Sequence, residues 1–227
     1  PFELSLAIHS DAGYRTDMKS MIGSLAICTT EFNDGVLNSG VSRMMSKDFA
    51  DMLLNNVQND LTHKYKRWIK REVYDKNYSE TRIPEVPSAI LETMSHQNFP
   101  DMIMGQDPNF RFYMARSIYK TITKFIASEH DEKYNITPLA PDNFRIEFKK
   151  DNKIKLSWNE VTDPEEPTSR PTGYLLYIAA GSSDFDNGTY IKGDHDYEMK
   201  LEPGLLYHFK VSAVNKGGES FATEVLS

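Results

Sequence analysis

The chain has 227 residues, 39% hydrophobic and 26% charged, which is enough for two ordinary soluble globular domains and diagnostic of no narrower class. A formal net charge of −7 argues against nucleic acid or an anionic membrane surface as the main partner, because both select a basic face. The single cysteine, Cys28, excludes an internal disulfide; no apolar run is long enough to span a membrane, and Pro1-Phe2-Glu3 is not the start of a signal peptide, so any signal would stand upstream.

In chain order, the stretch from Phe2 to Gly13 comes first. Leu4, Leu6 and Ile8 alternate with Ser5, Ala7 and His9, the pattern of an interior strand in a covered sheet that delivers a histidine into a glycine-containing turn. Open α/β sheets take ligands outside the carboxyl ends of their strands, and His9, Ser10 and Asp11 fall there. A strand-end histidine that only makes hydrogen bonds is the plainer alternative. Residues 14–21 are loop-like. Ile22 to Thr29 predicts a second strand, paired beside the first, with Cys28 as a buried small hydrophobe.

After turn chemistry at residues 31–35, a long helix is predicted from Asn38 or Ser39, with Val41, Met45, Phe49, Met52, Leu53, Val57 and Leu61 facing the sheet. The basic run Lys64 to Arg71 reads as the solvated end of that helix, with docking of an anionic glycan as its alternative; residues 74–82 read as a polar connection. Ser88 to Leu91 predicts a short strand running into Glu92. Parallel strands ending in His9 and Glu92, joined through a helical segment, would bring a metal ligand and a general base to one sheet edge. Asp107 as N-cap and Pro108 in the first turn begin a helix to about Ser128, with Phe110, Met114, Ile118, Ile122 and Ile126 on one face. Residues 131–140 read as a proline-bearing linker.

Two of these segments carry a family resemblance. Leu6-Ala-Ile-His9-Ser-Asp-Ala-Gly13 resembles the strand that supplies the last zinc-binding histidine of zinc-dependent N-acetylmuramoyl-L-alanine amidases of the cell-wall hydrolase type. Pro87-Ser-Ala-Ile-Leu-Glu92, followed by Asn98 and Pro100-Asp101, is similar to the segment with their catalytic glutamate. The resemblance covers roughly residues 2–128 and implies an α/β catalytic domain over residues 1–130, with His9 on zinc and Glu92 as the catalytic residue. Asp11, His96 and Asn98 are the expected substrate contacts. Those enzymes also carry a Gly-His-Gly-Gly turn and a zinc glutamate upstream of the strand-histidine segment. No Gly-His pair occurs in these 227 residues, which match the back half of such a domain. A catalytic zinc needs three protein ligands, so these residues alone are expected to hold no tight zinc and to be inactive. The strand at Phe2–Ile8 is expected to leave an open edge that invites pairing with another chain or with a separate N-terminal part of its own domain.

From residue 141 onward only strands are predicted: Phe144–Phe148, Lys153–Trp158, Gly173–Ile178, Tyr197–Lys200, Leu206–Val214 and Ser220–Val225, separated by turn clusters, which indicates a β-sandwich. Leu201-Glu-Pro-Gly-Leu-Leu-Tyr207 has the spacing of a tyrosine corner and Trp158 that of a core tryptophan. With Val211-Ser-Ala-Val-Asn215 and Gly217-Gly218-Glu-Ser220, residues 141–227 resemble a fibronectin type III domain. The Asp184–Gly188 run is read as a hairpin turn rather than a calcium loop.

Taken together, the resemblances imply a secreted, periplasmic or cell-surface bacterial hydrolase acting on peptidoglycan or another glycan. Two other readings stand beside it. One is a polysaccharide-acting protein of the xanthan-lyase sort, although no spacing here assembles a lyase site. The other is a non-catalytic protein that binds a glycan or partner.

Overall fold

The computed structural model describes residues 2–12 and 18–227; Gly13 and the expected loop residues 14–17 lie outside the described residues. The chain divides into two compact units, Pro1–Glu132 and Lys133–Ser227. No described helix is long and apolar enough to cross a membrane.

The first unit is a mixed sheet with helices. Its strands are β1 (Ser5–Asp11), β2 (Ser24–Cys28), β3 (Lys70–Asp75) and β4 (Ser88–Ser95), and its helices are α1 (Met44–Lys64), α2 (Ser79–Arg82), α3 (Phe99–Gln106) and α4 (Pro108–Glu129). The strand order is β1-β4-β2-β3. β1 and β4 run parallel, β2 and β3 run parallel, and the two pairs meet antiparallel at β4 and β2. The carboxyl ends of β1 and β4 therefore share one edge of the sheet with the amino ends of β2 and β3.

Alternation along each strand separates the faces. One face carries Leu4, Leu6, Ala26, Cys28, Val73, Ala89 and Leu91 against the apolar stripes of α1 (Phe49, Leu53, Val57, Leu61) and α4 (Phe110, Met114, Ile118, Phe125). Each fully buried Leu or Phe there contributes about 1.5–3 kcal/mol relative to exposure. The opposite face holds a smaller apolar cluster of Leu25, Ile27 and Ile90 with Ala7 and Tyr74. His9 and Glu92, two residues beyond Ala7 and Ile90, lie on this second face.

Several expectations change. Ile22–Thr29 was expected beside the first strand; instead β4 sits between β1 and β2. β1 is an edge strand rather than an interior one, with Ile8 58% exposed, and its outer edge is open among the described residues. β4 does not stop at Glu92 but runs to Ser95, because its polar end is bonded internally: Ser24 Oγ donates to Thr93 O and Thr93 Oγ1 to His9 O. α1 starts at Met44, since residues 36–43 close a tight turn in which Leu37 N–H donates to Val41 O and Arg43 N–H to Gly35 O. The basic run is no helix end either. The helix stops at Lys64, Trp68 is buried against Phe110 at 4.6 Å between ring centroids, and Lys70 and Arg71 open β3. The polar connection contains α2, and α3 follows the glutamate strand, both too short to show a periodicity. The helix expected from Asp107 is present, with Asp107 Oδ1 accepting from Asn109 N–H at 2.9 Å.

The second unit is a sandwich of two antiparallel sheets. Strands β5 (Asp142–Phe148), β6 (Lys153–Asn159) and β9 (Asp196–Lys200) form one; β7 (Gly173–Ala180), β8 (Thr189–Ile191), β10 (Tyr207–Asn215) and β11 (Gly218–Glu219) form the other, in the order β11-β10-β7-β8. Ile154, Leu156, Trp158, Tyr174, Leu176, Phe209 and Val211 fill the space between them. The tyrosine corner is formed: Tyr207 Oη accepts from Glu202 N–H at 3.2 Å. Asp186 Oδ1 accepts from Ile178 and Gly188 N–H, a hairpin turn as expected. The strand expected at Ser220–Val225 is reduced to single backbone bonds to β10 and a bridge at Phe209 and Leu226, while β8 was not anticipated. Residues 133–140, expected as linker, fall within this unit; Ile136 is buried and its carbonyl accepts from Asn215 Nδ2 at 2.8 Å.

Candidate active site

The register between β1 and β4 pairs His9 with Glu92 directly, and the antiparallel register pairs Glu92 with Leu25 on its other side. Paired residues on neighbouring strands point to one face, so Glu92 stands between an imidazole and a buried leucine. His9 Nδ1 lies 3.8 Å from Glu92 Oε1, and His9 Nε2 lies 3.7 Å from Glu80 Oε1 on α2. The ring thus has one carboxylate at each nitrogen. Thr81, next to Glu80, is buried and tied to Thr29 and Ser88, which fixes α2 beside the sheet.

The Glu92 side chain is 12% exposed and its Oε2 is buried without a hydrogen-bond partner. Burial raises its pKa above the ordinary carboxylate value, and the neighbouring Asp11 charge raises it further; His9, Arg71 and His96 act in the opposite direction. Glu80 is held below the ordinary value, first by its own backbone N–H, then by the Ser79 hydroxyl and by His9. Asp11, at the end of β1, accepts from Arg71 Nη1 at 2.7 Å, and Arg71 Nη2 donates to Gly23 O at 3.2 Å.

His96 folds back onto the end of β1. Its backbone N–H donates to Asp11 O at 2.9 Å, and its Nδ1 lies 3.1 Å from Ser10 O. Asn98 has a different environment: it is buried, its Oδ1 accepts from Ser95 Oγ and its Nδ2 donates to Ser20 O, so its amide shapes the loop from within. The structure therefore brings His9, Asp11, Glu92 and His96 together and sets Asn98 behind them. Glu80 and Arg71 join the site without having been expected there; Glu80 lay in a run without pattern, and Arg71 in a basic stretch with the composition of a solvated surface.

The local fold around the site rests on Asp101. This buried carboxylate accepts from Ile22 N–H (2.8 Å), Gly23 N–H (2.9 Å) and Ser95 N–H (2.9 Å), joining the start of β2 to the end of β4. Gly23 has φ +74°, and an added Cβ would stand 1.9 Å from Ile69 O, so only glycine lets β2 begin against the chain leading into β3.

Among solved structures, part of the chain is similar to N-acetylmuramoyl-L-alanine amidase from Clostridium difficile 630, with 12% identity, TM-score 0.45, and coverage of 56% of this chain and 59% of that one. It is also similar to the N-acetylmuramyl-L-alanine amidase Ami1 from Mycobacterium smegmatis, with 19% identity, TM-score 0.44, and coverage of 56% and 55%. Part of the chain is similar to the FN1–FN3 domains of chicken CNTN1, with 19% identity, TM-score 0.33, and coverage of 39% and 31%. The chain thus spans well under two thirds of each of these structures, and likeness at these scores says nothing about chemistry. No curated protein matches the sequence. Residues 139–227 match the family model described as the Fibronectin type III domain, and with the paired sheets, the buried Trp158 and the Tyr207 corner this match identifies the second unit as a fibronectin type III domain.

Proposed function

We propose that the first unit is part of a secreted cell-wall amidase that cleaves the amide between N-acetylmuramic acid and L-alanine of peptidoglycan, with Glu92 moving the proton and His9 serving as one ligand of a zinc ion. The observation that supports this reading above all is the direct pairing of His9 with a Glu92 whose pKa is raised by burial. A base tuned upward from the ordinary carboxylate range works closer to neutral pH, where proton transfer is most effective.

Among the described residues no group of three or more His, Cys, Asp or Glu side chains is placed to hold a metal ion. What is present fits one side of such a site: an imidazole at a strand end and a buried carboxylate oxygen with no partner. The remaining ligands, a histidine and a glutamate by the resemblance, would come from outside these residues. His9 would be the one ligand these residues supply; Glu80 Oε1, 3.7 Å from His9 Nε2, stands on the side of the ring where a carboxylate can orient a ligating imidazole. When bound, zinc polarises the scissile carbonyl and lowers the pKa of water. Glu92 takes the proton from the attacking water and returns it to the leaving amide nitrogen. Leu25 and the apolar cluster beside it keep the carboxylate partly out of water.

Release of stem peptides from purified peptidoglycan by the full-length protein with added zinc is the test. Glu92→Gln should abolish release while leaving the fold intact; undiminished release would remove Glu92 from this role. The fibronectin type III domain is read as the module that spaces or holds the hydrolase on its wall substrate.

A further inference from the structure

The basic run that follows α1 has a place in the fold that its composition does not announce. Residues 64–71 hold five cations, Lys64, Lys66, Arg67, Lys70 and Arg71, and no carboxylate, in a chain whose net charge is −7. Ser24 and Lys70 are register partners at the starts of β2 and β3, so residues 65–69 lie at the sheet edge that also carries the carboxyl ends of β1 and β4. Arg71 continues the run into the site, where its Nη1 donates to Asp11 Oδ2 at 2.7 Å.

The run is held from beneath by Trp68. This side chain is buried, its Nε1 donates to Ser24 Oγ at 3.1 Å, and the Trp68 carbonyl accepts from Gln58 Nε2 at 2.9 Å. With Trp68 turned inward, Lys64, Lys66, Arg67, Ile69 and Lys70 are exposed. Lys64 donates to Tyr113 Oη at 2.6 Å and Lys70 to Asn55 Oδ1; both partners are neutral, so the cations are steadied without being cancelled. The rest of the chain is more acidic than the whole, which concentrates any attraction for an anion at this edge.

Four exposed cations spread along an anchored loop suit an extended polyanion, whereas a small anion needs donors that converge in a pocket. Ile69, 42% exposed between Arg67 and Lys70, adds an apolar contact. A carboxylate-bearing sugar chain supplies both complements, negative groups for the cations and the C–H face of a pyranose ring for Ile69. We propose that the loop from Lys64 to Lys70 is a docking surface for an acidic polysaccharide strand, laid along the sheet edge toward Glu92. This deepens the hydrolase reading and rests on it for the glycan nature of the partner, but binding is measured without any hydrolysis.

The probe is a fluorescently tagged hexamer of galacturonate, titrated into the 227-residue protein and read by anisotropy, with the neutral N-acetylglucosamine hexamer and hexa-L-glutamate beside it. The expected result is saturable binding of the galacturonate chain that weakens as salt is raised, with far weaker binding of the other two. Lys66→Ala combined with Arg67→Ala should weaken it about tenfold, a few-fold for each exposed charge. Lys149→Ala combined with Lys150→Ala, at exposed cations of the second unit, should leave it unchanged. Absence of saturable binding, an affinity indifferent to Lys66 and Arg67, or an equal loss in the Lys149 and Lys150 pair overturns the proposal. Hexaglutamate binding as tightly, with the same dependence on Lys66 and Arg67, assigns the loop to an acidic peptide and overturns it as well. Binding by a protein that releases no stem peptide upholds the docking surface and sinks the amidase reading; release without binding does the reverse.

Discussion

Removing the Asp101 carboxylate should unfold the first unit well before the second. Asp101→Ala deletes the acceptor of three backbone N–H groups, at Ile22, Gly23 and Ser95, all at 2.8–2.9 Å in a buried place. Hydrogen bonds to a charged group are worth about 1.5–3 kcal/mol each. Partial rescue of the freed N–H groups by water entering the space left behind brings the expected loss to about 3–6 kcal/mol, a large share of the ~5–15 kcal/mol that holds a typical domain. The two tryptophans make the measurement separable, since Trp68 is buried in the first unit and Trp158 in the second. Urea unfolding followed by Trp68 fluorescence in a Trp158→Phe background should show the midpoint fall, while Trp158 fluorescence in a Trp68→Phe background should show the second unit unchanged. A loss below about 1 kcal/mol in the first unit would refute the argument, because it would mean that water replaces all three bonds at little cost.

Other outcomes follow from the same structure. Glu92 has a raised pKa in the folded state, so the protein binds its proton more tightly folded than unfolded; this contribution to stability is full below the unfolded carboxylate pKa of about 4.3 and is lost as pH rises through the raised value. Glu92→Gln should therefore be more stable than the parent at neutral pH and indistinguishable from it at pH near 4, as read from urea midpoints; equal stability at both would contradict the assigned burial. Cys28 is buried and its thiol is pushed up to about 11, first by burial and then by Asp75, so an aromatic disulfide reagent should label it only as the first unit unfolds. Rapid labelling of the native protein would show that the strand is not covered as described. Tyr207→Phe removes the acceptor for Glu202 N–H and should cost the second unit about 1 kcal/mol by thermal or urea unfolding, with the first unit unaffected.

How much of this was legible in the sequence depends on the range of the interaction concerned. The sandwich was legible, because alternation along each strand and turn clusters between strands are local, and the tyrosine corner spans only the residues from Leu201 to Tyr207. The strand with His9, the strand with Glu92 and the last helix were legible for the same reason: their apolar periods of two or 3.6 residues require one face to be buried.

The tertiary structure alone decided which strands are neighbours. Local pattern gives a strand's faces but not its partner, so Ile22–Thr29 was expected beside β1 although β4 takes that place and puts Glu92 level with His9. The same holds for the polar residues at the site. The glutamate strand was expected to run only into Glu92, Arg71 read as part of a solvated helix end and Glu80 as part of a polar connection, since each lies in a locally polar run. Three owe their position to a partner distant in sequence: Thr93 to His9, Arg71 to Asp11 and Glu80 to His9. A hydrophobic side chain announces its burial through periodicity, whereas a buried polar group is defined by a partner that only the folded chain brings within reach.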